Sequence, residues 1–233
     1  MNIQILHLLQ GAKNAVGLTV IIDVFRAFSV ACYLFENGAE SVLPVGRIDD
    51  AYRLKQENPG FILIGERYGR KQAGFQYGNS PDEIHQTDFT GKTIIHTTSA
   101  GTQGIVHASG ADEIITGSLV NAKAIAQYIL QRNPPQVSLV CMGIAGRLES
   151  EEDTFCAEYI ESLLERKPYP VESAVEKLKE TSGKRFFDPA NRDWAPENDF
   201  YLCTDLNRFH FVMIAERTPE GLVRLRKTED FTK

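Results

Sequence analysis

Short apolar runs alternate along this chain with longer segments in which apolar residues recur every three or four positions. Runs of roughly four to eight residues are typical of buried strands, and the longer periodic segments are typical of amphipathic helices. The predicted strands comprise residues 3–9, 18–22, 41–45, 61–64, 92–96, 113–116, 137–142, 211–214 and 221–225. The predicted helices comprise residues 27–37, 49–58, 101–109, 120–132, 151–166, 170–179 and 199–209, and residues 11–17 are predicted to separate the first two strands as an irregular break.

The order of these elements predicts the fold class. Strands alternate with helices through the first two thirds of the chain, which indicates a layered α/β domain. The last two predicted strands are joined by Thr218-Pro219-Glu220-Gly221, a hairpin signal that makes the sheet mixed instead of wholly parallel. We therefore predict one three-layer α/β/α domain over residues 1–233, built on a mixed and mainly parallel sheet.

The composition narrows the classes of function. The chain carries a formal net charge of −6 and has an isoelectric point near 5.5, which argues against nucleic acid as a partner. No apolar run approaches the roughly 20 residues that span a bilayer, so no membrane partner is expected. The N-terminus lacks a basic start and a small-residue cleavage site, and the four cysteines form no C-x-x-C pair. These features predict free thiols and a cytoplasmic protein.

Polar side chains follow four of the predicted strands at their carboxyl ends. Ligands of open α/β sheets bind beyond these ends, so the four groups would meet in one cleft if the strands were parallel neighbours. The longest of these segments, residues 64–81, is rich in glycine and in charge, although a solvated loop would have the same composition. The four groups are Asp23 with Arg26, Glu66 with Arg67, Thr97-Thr98-Ser99, and Gly143 to Arg147.

Acids and anion-binding groups occur together in this predicted cleft. Asp23, Glu66 and the Glu151-Glu152-Asp153 cluster could hold a hard cation such as Mg²⁺, which prefers carboxylate ligands. The arginines, and the helix starts near Gly101 and Gly143, would attract an anion. Together these groups indicate metal-assisted phosphate chemistry. Acids in the first turn of a helix also stabilise that helix by themselves, so residues 151–153 have a purely structural explanation as well.

A second chemistry is compatible with the loop after residues 137–142. Cys141 and Arg147 form a C-x5-R spacing, which resembles the phosphate loop of cysteine-dependent phosphatases. Val140 and Leu148 stand where that loop usually has His and Ser or Thr, and a cysteine at the end of a buried strand is more often a small apolar residue. A non-catalytic module that binds small phosphorylated or sulfonated acids is a third alternative. Nothing in the chain matches a P-loop or an H-E-x-x-H motif.

Several motifs occur in an order that resembles a known family. They are Asp23-x-x-Arg26-Ala27-x-Ser29, Gly65-Glu66-Arg67-x-Gly69, Gly74-Phe75-x-x-Gly78-Asn79-Ser80-Pro81, Thr97-Thr98 with Gly101-Thr102, Val120-Asn121-Ala122, and Glu152-Asp153. On these motifs the chain resembles the 2-phosphosulfolactate phosphatase family over nearly its whole length. The resemblance implies an α/β/α fold and a Mg²⁺-dependent acid phosphatase. The family's named substrate carries a phosphate on C2 beside a carboxylate and a sulfonate, and its dephosphorylation serves coenzyme M synthesis.

On this basis we predict a phosphomonoesterase that acts on a small anionic phosphorylated substrate. The predicted catalytic residues are Asp23, Arg26, Glu66 and Arg67. The predicted Mg²⁺ ligands are Asp23, Glu66 and Asp153. The predicted substrate-binding residues are Asn79, Ser80, Thr97, Thr98, Ser99, Gly101, Thr102, Gly143 and Arg147. A homodimer is compatible with the fold, although no sequence feature indicates one.

One loop departs from the family pattern. The family's loop commonly reads Thr-Thr-Asn-Gly-Thr, whereas this chain has Thr97-Thr98-Ser99-Ala100-Gly101-Thr102. The asparagine is replaced and one residue is inserted. Because this loop is expected to contact the substrate, another phosphorylated hydroxy acid is an alternative to 2-phosphosulfolactate.

Overall fold

Nine strands pair into one sheet within residues 1–219 and 221–228, the part of the chain that the computed structural model describes. The α/β class and the mixed, mainly parallel sheet are therefore confirmed. The strands are β1 Asn2–His7, β2 Gly17–Ile22, β3 Ser41–Pro44, β4 Ile62–Gly65, β5 Thr93–Thr97, β6 Ala111–Gly117, β7 Gln136–Cys141, β8 Met213–Arg217 and β9 Val223–Lys227. Their order across the sheet is β1-β7-β2-β6-β8-β9-β3-β5-β4.

Helices cover both faces of this sheet. They are α1 Leu8–Asn14, α2 Ala27–Glu36, α3 Ile48–Glu57, α4 Pro81–Ile84, α5 Gly101–His107, α6 Ala122–Arg132, α7 Glu151–Glu165, α8 Val171–Glu180 and α9 Glu197–Thr204. Successive side chains of a strand point to opposite faces. Accordingly, Ile21 of β2 packs in one apolar core with α1, α2 and α5, whereas Val20 and Ile22 pack in a second core with α6 and α7. A third, smaller core joins Leu54 of α3 to Ile95 of β5. Among the described residues, no helix has the length and apolar composition needed to cross a bilayer.

The sheet consists of two parallel blocks, β1-β7-β2-β6 and β3-β5-β4, joined by the β8–β9 hairpin. The pairings β6–β8, β8–β9 and β9–β3 are all antiparallel, so the two blocks run in opposite directions along the ladder. The four strands that are followed by the predicted polar groups are therefore not all parallel neighbours. They are neighbours only in pairs, β2 with β7 and β4 with β5. At a typical right-handed twist of roughly 20–25° per pairing, the five pairings from β2 to β5 would add up to roughly 100–125°, enough to turn the second block far out of line with the first.

The N-terminal segment differs from the prediction. Strand β1 ends at His7 and not at residue 9 as predicted. Of the residues 11–17 that were expected to form an irregular break, residues 11–14 belong to α1. Leu8 and Leu9 extend the apolar run of β1 in the sequence, which hides the change from strand to helix. At Gly11 an added Cβ would lie 3.0 Å from the carbonyl carbon and from the Cβ of Leu6. A glycine here therefore lets α1 fold back closely onto β1.

The C-terminal elements are shifted from their predicted positions. Helix α9 ends at Thr204 instead of residue 209, because Phe209 and Phe211 belong to the apolar core and not to a helical stripe. The strands β8 and β9 begin two residues later than predicted. They pair antiparallel with Met213 opposite Lys227, as the hairpin signal predicts. Glu220 of the predicted turn lies outside the described residues.

Candidate active site

A cavity of about 210 Å³ lies where the loops after β2, β4, β5 and β7 meet, and it contains residues from all four predicted strand-end groups. A larger cavity of about 500 Å³ next to Phe186 and Tyr201 contains none of the predicted residues. We therefore take the smaller cavity as the candidate active site. It is lined by Asp23, Phe25, Arg26, Glu66, Tyr68, Gly69, Asn79, Ser99, Ala100, Gly143, Ile144, Ala145, Glu152, Arg185 and Trp194.

Asp23 connects the two blocks of the sheet at this cavity. Its Oδ1 accepts the N–H of Ala27 at the start of α2, at 3.1 Å. Its Oδ2 accepts the N–H of Gly101 at the start of α5, at 2.8 Å. A Cβ on residue 101 would lie only 2.8 Å from this oxygen, so glycine is needed for the contact. Burial, together with the nearby Glu66 and Glu152 carboxylates, raises the pKa of Asp23 to about 6.

Glu66 orders the glycine-rich loop after β4. Its Oε1 accepts the N–H of Ser99 at 2.6 Å, and its Oε2 accepts the N–H of Gly69 at 2.6 Å and the hydroxyl of Ser99 at 3.1 Å. Gly65 immediately before it has φ of +143°, and a Cβ there would lie 2.0 Å from the carbonyl oxygen of Thr97. Glycine thus allows β4 and β5 to end in close contact, with the carboxylate held between their loops.

Two adjacent acids at the start of α7 have different surroundings. Asp153 accepts the N–H of Val24 at 2.8 Å and the N–H of Gly143 at 2.7 Å, so it ties two loops together and is absent from the cavity lining. Burial and the charges of Glu152 and Asp23 raise its pKa. Glu152 does line the cavity and is 3% exposed, and its buried Oε2 has no hydrogen-bond partner among the described residues. A buried carboxylate in this state favours a ligand that completes its contacts.

The carboxylates of the cavity would need water or substrate oxygens beside them to bind a divalent cation. Asp23, Glu66 and Glu152 face one small space, and their like charges contribute to the raised pKa of Asp23. Across residues 1–219 and 221–228, no group of three or more Asp, Glu, His or Cys side chains is placed so that it could hold a metal ion. Mg²⁺ does not need one, because it binds through one or two carboxylates together with water and substrate oxygens. The unpartnered Oε2 of Glu152 offers such a position, whereas the predicted ligand Asp153 does not line the cavity.

Arg26 also lines the cavity, but its charge is balanced within the protein. Its Nη1 donates to Oδ2 of Asp199, and both side chains are at most 5% exposed. Oδ1 of Asp199 accepts the hydroxyl of Ser80 at 2.7 Å and the N–H of Asp82 at 2.9 Å. Burial raises the pKa of Asp199, and the Arg26 charge counteracts this effect. The predicted substrate-binding residue Ser80 therefore serves a buried ion pair and is absent from the cavity lining.

The structure brings some of the predicted residues together and leaves others outside the cavity lining. Arg67 donates to backbone carbonyls and to Oγ1 of Thr97, the latter at 2.7 Å. Thr98 and Thr102 bond to each other, with the N–H of Thr98 donating to Oγ1 of Thr102 at 3.1 Å. Arg147 is exposed. The predicted residues that line the cavity are Asp23, Arg26, Glu66, Asn79, Ser99 and Gly143.

Asn79 is supported from behind by a buried histidine. Its Oδ1 lies 3.1 Å from Nε2 of His96, a contact that a neutral imidazole makes by donating from Nε2. Burial lowers the pKa of His96 to about 4, so this ring is neutral near pH 7. Asn79 also lines the cavity, so its side chain is placed where a ligand would bind.

The burial of His96 predicts a loss of stability in mild acid. Because its folded-state pKa lies below the value of about 6.5 in an unfolded chain, the unfolded state binds more protons between pH 6.5 and pH 4. Stability is therefore lost as the pH falls through this window, with a contribution of about 2 kcal/mol at pH 5. Urea unfolding at pH 7 and at pH 5 should show a smaller pH difference in His96→Gln than in the wild type. The same substitution at the half-buried His107 should leave the difference unchanged.

The geometry does not support cysteine chemistry. Cys141 is 2% exposed and absent from the cavity lining, and its Sγ donates to the carbonyl oxygen of Asp153 at 3.4 Å. Burial and the Asp153 charge raise the pKa of this thiol, whereas a nucleophilic cysteine needs a lowered one. Arg147, the other half of the C-x5-R spacing, is exposed. Cys141 therefore acts as a small buried residue at the end of β7.

The sequence analysis did not identify three residues that complete the site. Arg185 and Trp194 both lie in the polar segment between α8 and α9, where no hydrophobic periodicity predicts a structure. Asp199, the partner of Arg26, was predicted only as the start of a helix. The signal that could have drawn attention is the single tryptophan of the chain, since a large aromatic residue in a polar loop often packs over a binding site. In the structure the guanidinium of Arg70 lies 4.8 Å from the centre of the Trp194 ring.

Comparison with known proteins gives a consistent result. A model of the 2-phosphosulpholactate phosphatase family matches residues 4–218. The probable 2-phosphosulfolactate phosphatase of Bacillus subtilis is 31% identical over 87% of this chain and 89% of its own length. The protein of the same name from Thermotoga maritima is 34% identical over 83% of this chain and 86% of its own length, and that from Carboxydothermus hydrogenoformans is 41% identical over 70% and 68%. Since the match covers nearly the whole chain, the resemblance is confirmed, and the chain belongs to the 2-phosphosulpholactate phosphatase family, a family of phosphoric monoester hydrolases.

Proposed function

We propose that this protein is a Mg²⁺-dependent phosphomonoesterase of small 2-phosphorylated hydroxy acids, with 2-phosphosulfolactate as the first candidate substrate. The observation that carries the proposal is the charge content of the cavity. The carboxylates of Asp23, Glu66 and Glu152 share about 210 Å³ with the guanidinium groups of Arg26 and Arg185. Such a space suits a ligand that joins a cation to several anionic groups, as a metal-bound phosphate ester does. The names of the relatives support the same substrate.

Glu152 would hold the ion together with one further carboxylate of the cavity, Asp23 or Glu66, and with water and substrate oxygens. Oε2 of Glu152 has no protein partner, and the oxygens of Asp23 and Glu66 keep lone pairs beyond the hydrogen bonds that they accept. When bound, Mg²⁺ supplies positive charge that polarises the phosphoryl oxygens. Its charge would also offset the repulsion among the three carboxylates.

Donors of the chain would bind the phosphate group. Asn79 lines the cavity and carries an amide donor, and Arg26 has N–H groups beyond the one bonded to Asp199. The supporting contacts of His96 and Asp199 hold these donors in place before a ligand arrives, which lowers the entropy lost on binding. In hydrolysis, the oxygen of a water molecule bonds to phosphorus, the ester P–O bond breaks, and the leaving hydroxy acid takes up a proton.

The cysteines of the chain bear on the compartment in which the proposed reaction takes place. All four cysteines are buried and unpaired, which supports a reducing compartment such as the cytoplasm. Hydrolysis of 2-phosphosulfolactate would give sulfolactate, which the family resemblance connects with coenzyme M synthesis.

The proposal is tested by measuring phosphate release from a panel of 2-phosphorylated acids, including 2-phosphosulfolactate, with Mg²⁺ or with a chelator. Release that requires Mg²⁺ and is fastest with one compound would support both the reaction and the substrate. Equal release in the chelator would contradict the metal assignment. Absence of release from every compound, with and without metal, would contradict the enzymatic proposal and favour a module that only binds such acids.

A further inference from the structure

The cavity contains one cationic side chain that forms no ion pair with any residue of the described chain. Arg185 lies in the 3₁₀ turn Lys184–Phe187 and lines the cavity. Among residues 1–219 and 221–228 it forms no ion pair within 4.0 Å, and its one hydrogen bond goes from Nη2 to the carbonyl oxygen of Phe25 at 3.1 Å. The other lining arginine, Arg26, is paired with Asp199. Arg185 therefore differs from Arg26 in having donors and charge left for a ligand.

The position of Arg185 is fixed by its surroundings. Its guanidinium lies 4.9 Å from the ring centre of Phe186 and 5.8 Å from that of Phe25. Its backbone carbonyl accepts the side-chain amide of Asn191 at 3.1 Å. Burial lowers its pKa, although an arginine stays charged at any physiological pH. A cation held rigidly in a partly apolar setting binds an oxyanion with less loss of side-chain entropy than a mobile surface arginine.

The charges of the cavity remain separate in the protein alone. Arg185 shares the cavity with Glu152 and Asp23, which are near enough to influence its pKa, but it pairs with neither. A divalent cation bound by these acids would neutralise them and leave Arg185 without compensation. A half-buried charge without a counter-charge is unfavourable, so a substrate that supplies an anion to Arg185 as well as a phosphate to the metal should bind best.

The two parts of the site come from different parts of the chain. The acids lie on strand-end loops of the sheet, whereas Arg185 and Trp194 lie on residues 184–196, a separate wall between α8 and α9. The phosphate ester belongs beside the acids, where the metal would be. A substituent on the neighbouring carbon would then face the opposite wall. A guanidinium there suits a carboxylate or a sulfonate, because each offers at least two oxygen acceptors to its paired N–H donors.

We propose that Arg185 binds the second oxyanion of the substrate, the carboxylate or sulfonate next to the phosphate-bearing carbon, and thereby selects phosphorylated acids over simple phosphate esters. This inference rests on the proposed function, because it assumes that the phosphate itself binds beside Asp23 and Glu152. It limits the substrate class to compounds with at least two anionic groups on adjacent or nearby carbons.

The test uses the single tryptophan of the chain as a binding probe. Trp194 lines the same cavity, so its fluorescence should change when a ligand enters. The wild type, Arg185→Met and the matched control Lys184→Met, whose residue is the exposed neighbour, are titrated in Mg²⁺ with sulfolactate and with inorganic phosphate. Sulfolactate carries both candidate oxyanions and no phosphate. We expect Arg185→Met to weaken sulfolactate binding by about 100-fold and phosphate binding by less than about threefold, with no effect of Lys184→Met.

Several outcomes would overturn the inference. Equal weakening of both ligands in Arg185→Met would place the guanidinium on the phosphate or give it only a structural role. Unchanged sulfolactate affinity, or a wild type that binds neither ligand, would also overturn it. If Arg185→Met does not fold, Arg185→Lys replaces it, since lysine keeps the charge but lacks the flat two-pronged donor and should weaken sulfolactate alone.

Kinetics separate this inference from the proposed function. For wild type and Arg185→Met, kcat/KM is compared between 2-phospholactate, which has a carboxylate, and glycerol 2-phosphate, which has none. The proposed selectivity predicts that Arg185→Met lowers kcat/KM by about 100-fold for 2-phospholactate and changes it little for glycerol 2-phosphate. A wild type that hydrolyses no phosphate ester would contradict the proposed function, while the fluorescence titration would still decide whether Arg185 binds the oxyanion.

Discussion

Replacing Glu152 with Gln is expected to lower Mg²⁺-dependent phosphate release by at least about 100-fold without lowering the free energy of unfolding. Oε2 of Glu152 has no protein partner, so the substitution removes a charge without breaking a hydrogen bond of that oxygen. It also removes one of the like charges that raise the pKa values of Asp23 and Asp153, so the folded state of the metal-free protein should be unchanged or more stable. Loss of activity together with retained or increased stability is characteristic of a site built for a ligand.

The neighbouring Glu151 provides the matched control for this variant. It lies in the same helical turn, is 47% exposed and pairs with Lys177 at 3.4 Å on the surface. Glu151→Gln should keep wild-type turnover and stability to within about 1 kcal/mol, since exposed ion pairs contribute little. Phosphate release at several Mg²⁺ concentrations and urea unfolding without metal are measured on both variants. Wild-type turnover in Glu152→Gln would show that this carboxylate does not hold the metal.

Replacing Asp199 with Ala is expected to be the most destabilising single change in the site, with a loss of about 3–5 kcal/mol in the free energy of unfolding. The substitution leaves the buried guanidinium of Arg26 without a counter-charge. It also removes the acceptor for the hydroxyl of Ser80 and for the N–H of Asp82. Asp199 thus holds α9 to the loops on either side of the cavity. Urea unfolding at pH 7 measures the loss.

A surface ion pair in the same region gives the comparison. Asp205 pairs with Arg208 at 2.7 Å, and both side chains are 47% exposed, so Asp205→Ala should cost less than about 1 kcal/mol. Adding Arg26→Met to Asp199→Ala should recover part of the lost stability, because the uncompensated charge is then removed. A cost for Asp199→Ala no larger than that for Asp205→Ala would mean that water or another group compensates Arg26.

Hydrophobic patterning predicts the fold well where the apolar residues of each element repeat at the spacing of a strand or of a helix. The strands and helices between residues 17 and 166 are recovered with small shifts at their ends, except the short helix α4, which was not predicted. These elements alternate in a regular order with clear glycine and proline stops. The pattern fails at α1, where the apolar run of β1 continues into the helix. The pattern also does not show that the block β3-β5-β4 runs opposite to the block β1-β7-β2-β6. That direction depends on the insertion of the C-terminal hairpin between β6 and β3.

The candidate site shows a similar limit. Asp23 and Glu66 are predictable because each directly follows a buried strand, where ligands of α/β sheets bind, and both line the cavity. Which member of the acidic cluster faces the cavity is decided by the helical turn at the start of α7, where Asp153 turns toward the backbone and Glu152 toward the cavity. Arg185 comes from a segment without periodicity, so only the tertiary structure brings it to the site.

The hairpin between the two parallel blocks has a consequence for how the chain folds. Strands β8 and β9 are the last to leave the ribosome among those that the structure describes. Until they do, β6 and β3 each lack one neighbour in the sheet. During synthesis the two blocks can form separately, but each carries an open strand edge until residues 213–227 appear. The pairing that closes the sheet joins segments about 100 to 180 residues apart, and such non-local contacts form slowly. Until residues 213–227 pair, the open edges of β6 and β3 offer unpaired backbone groups to other chains, which is the arrangement that leads to edge-to-edge association.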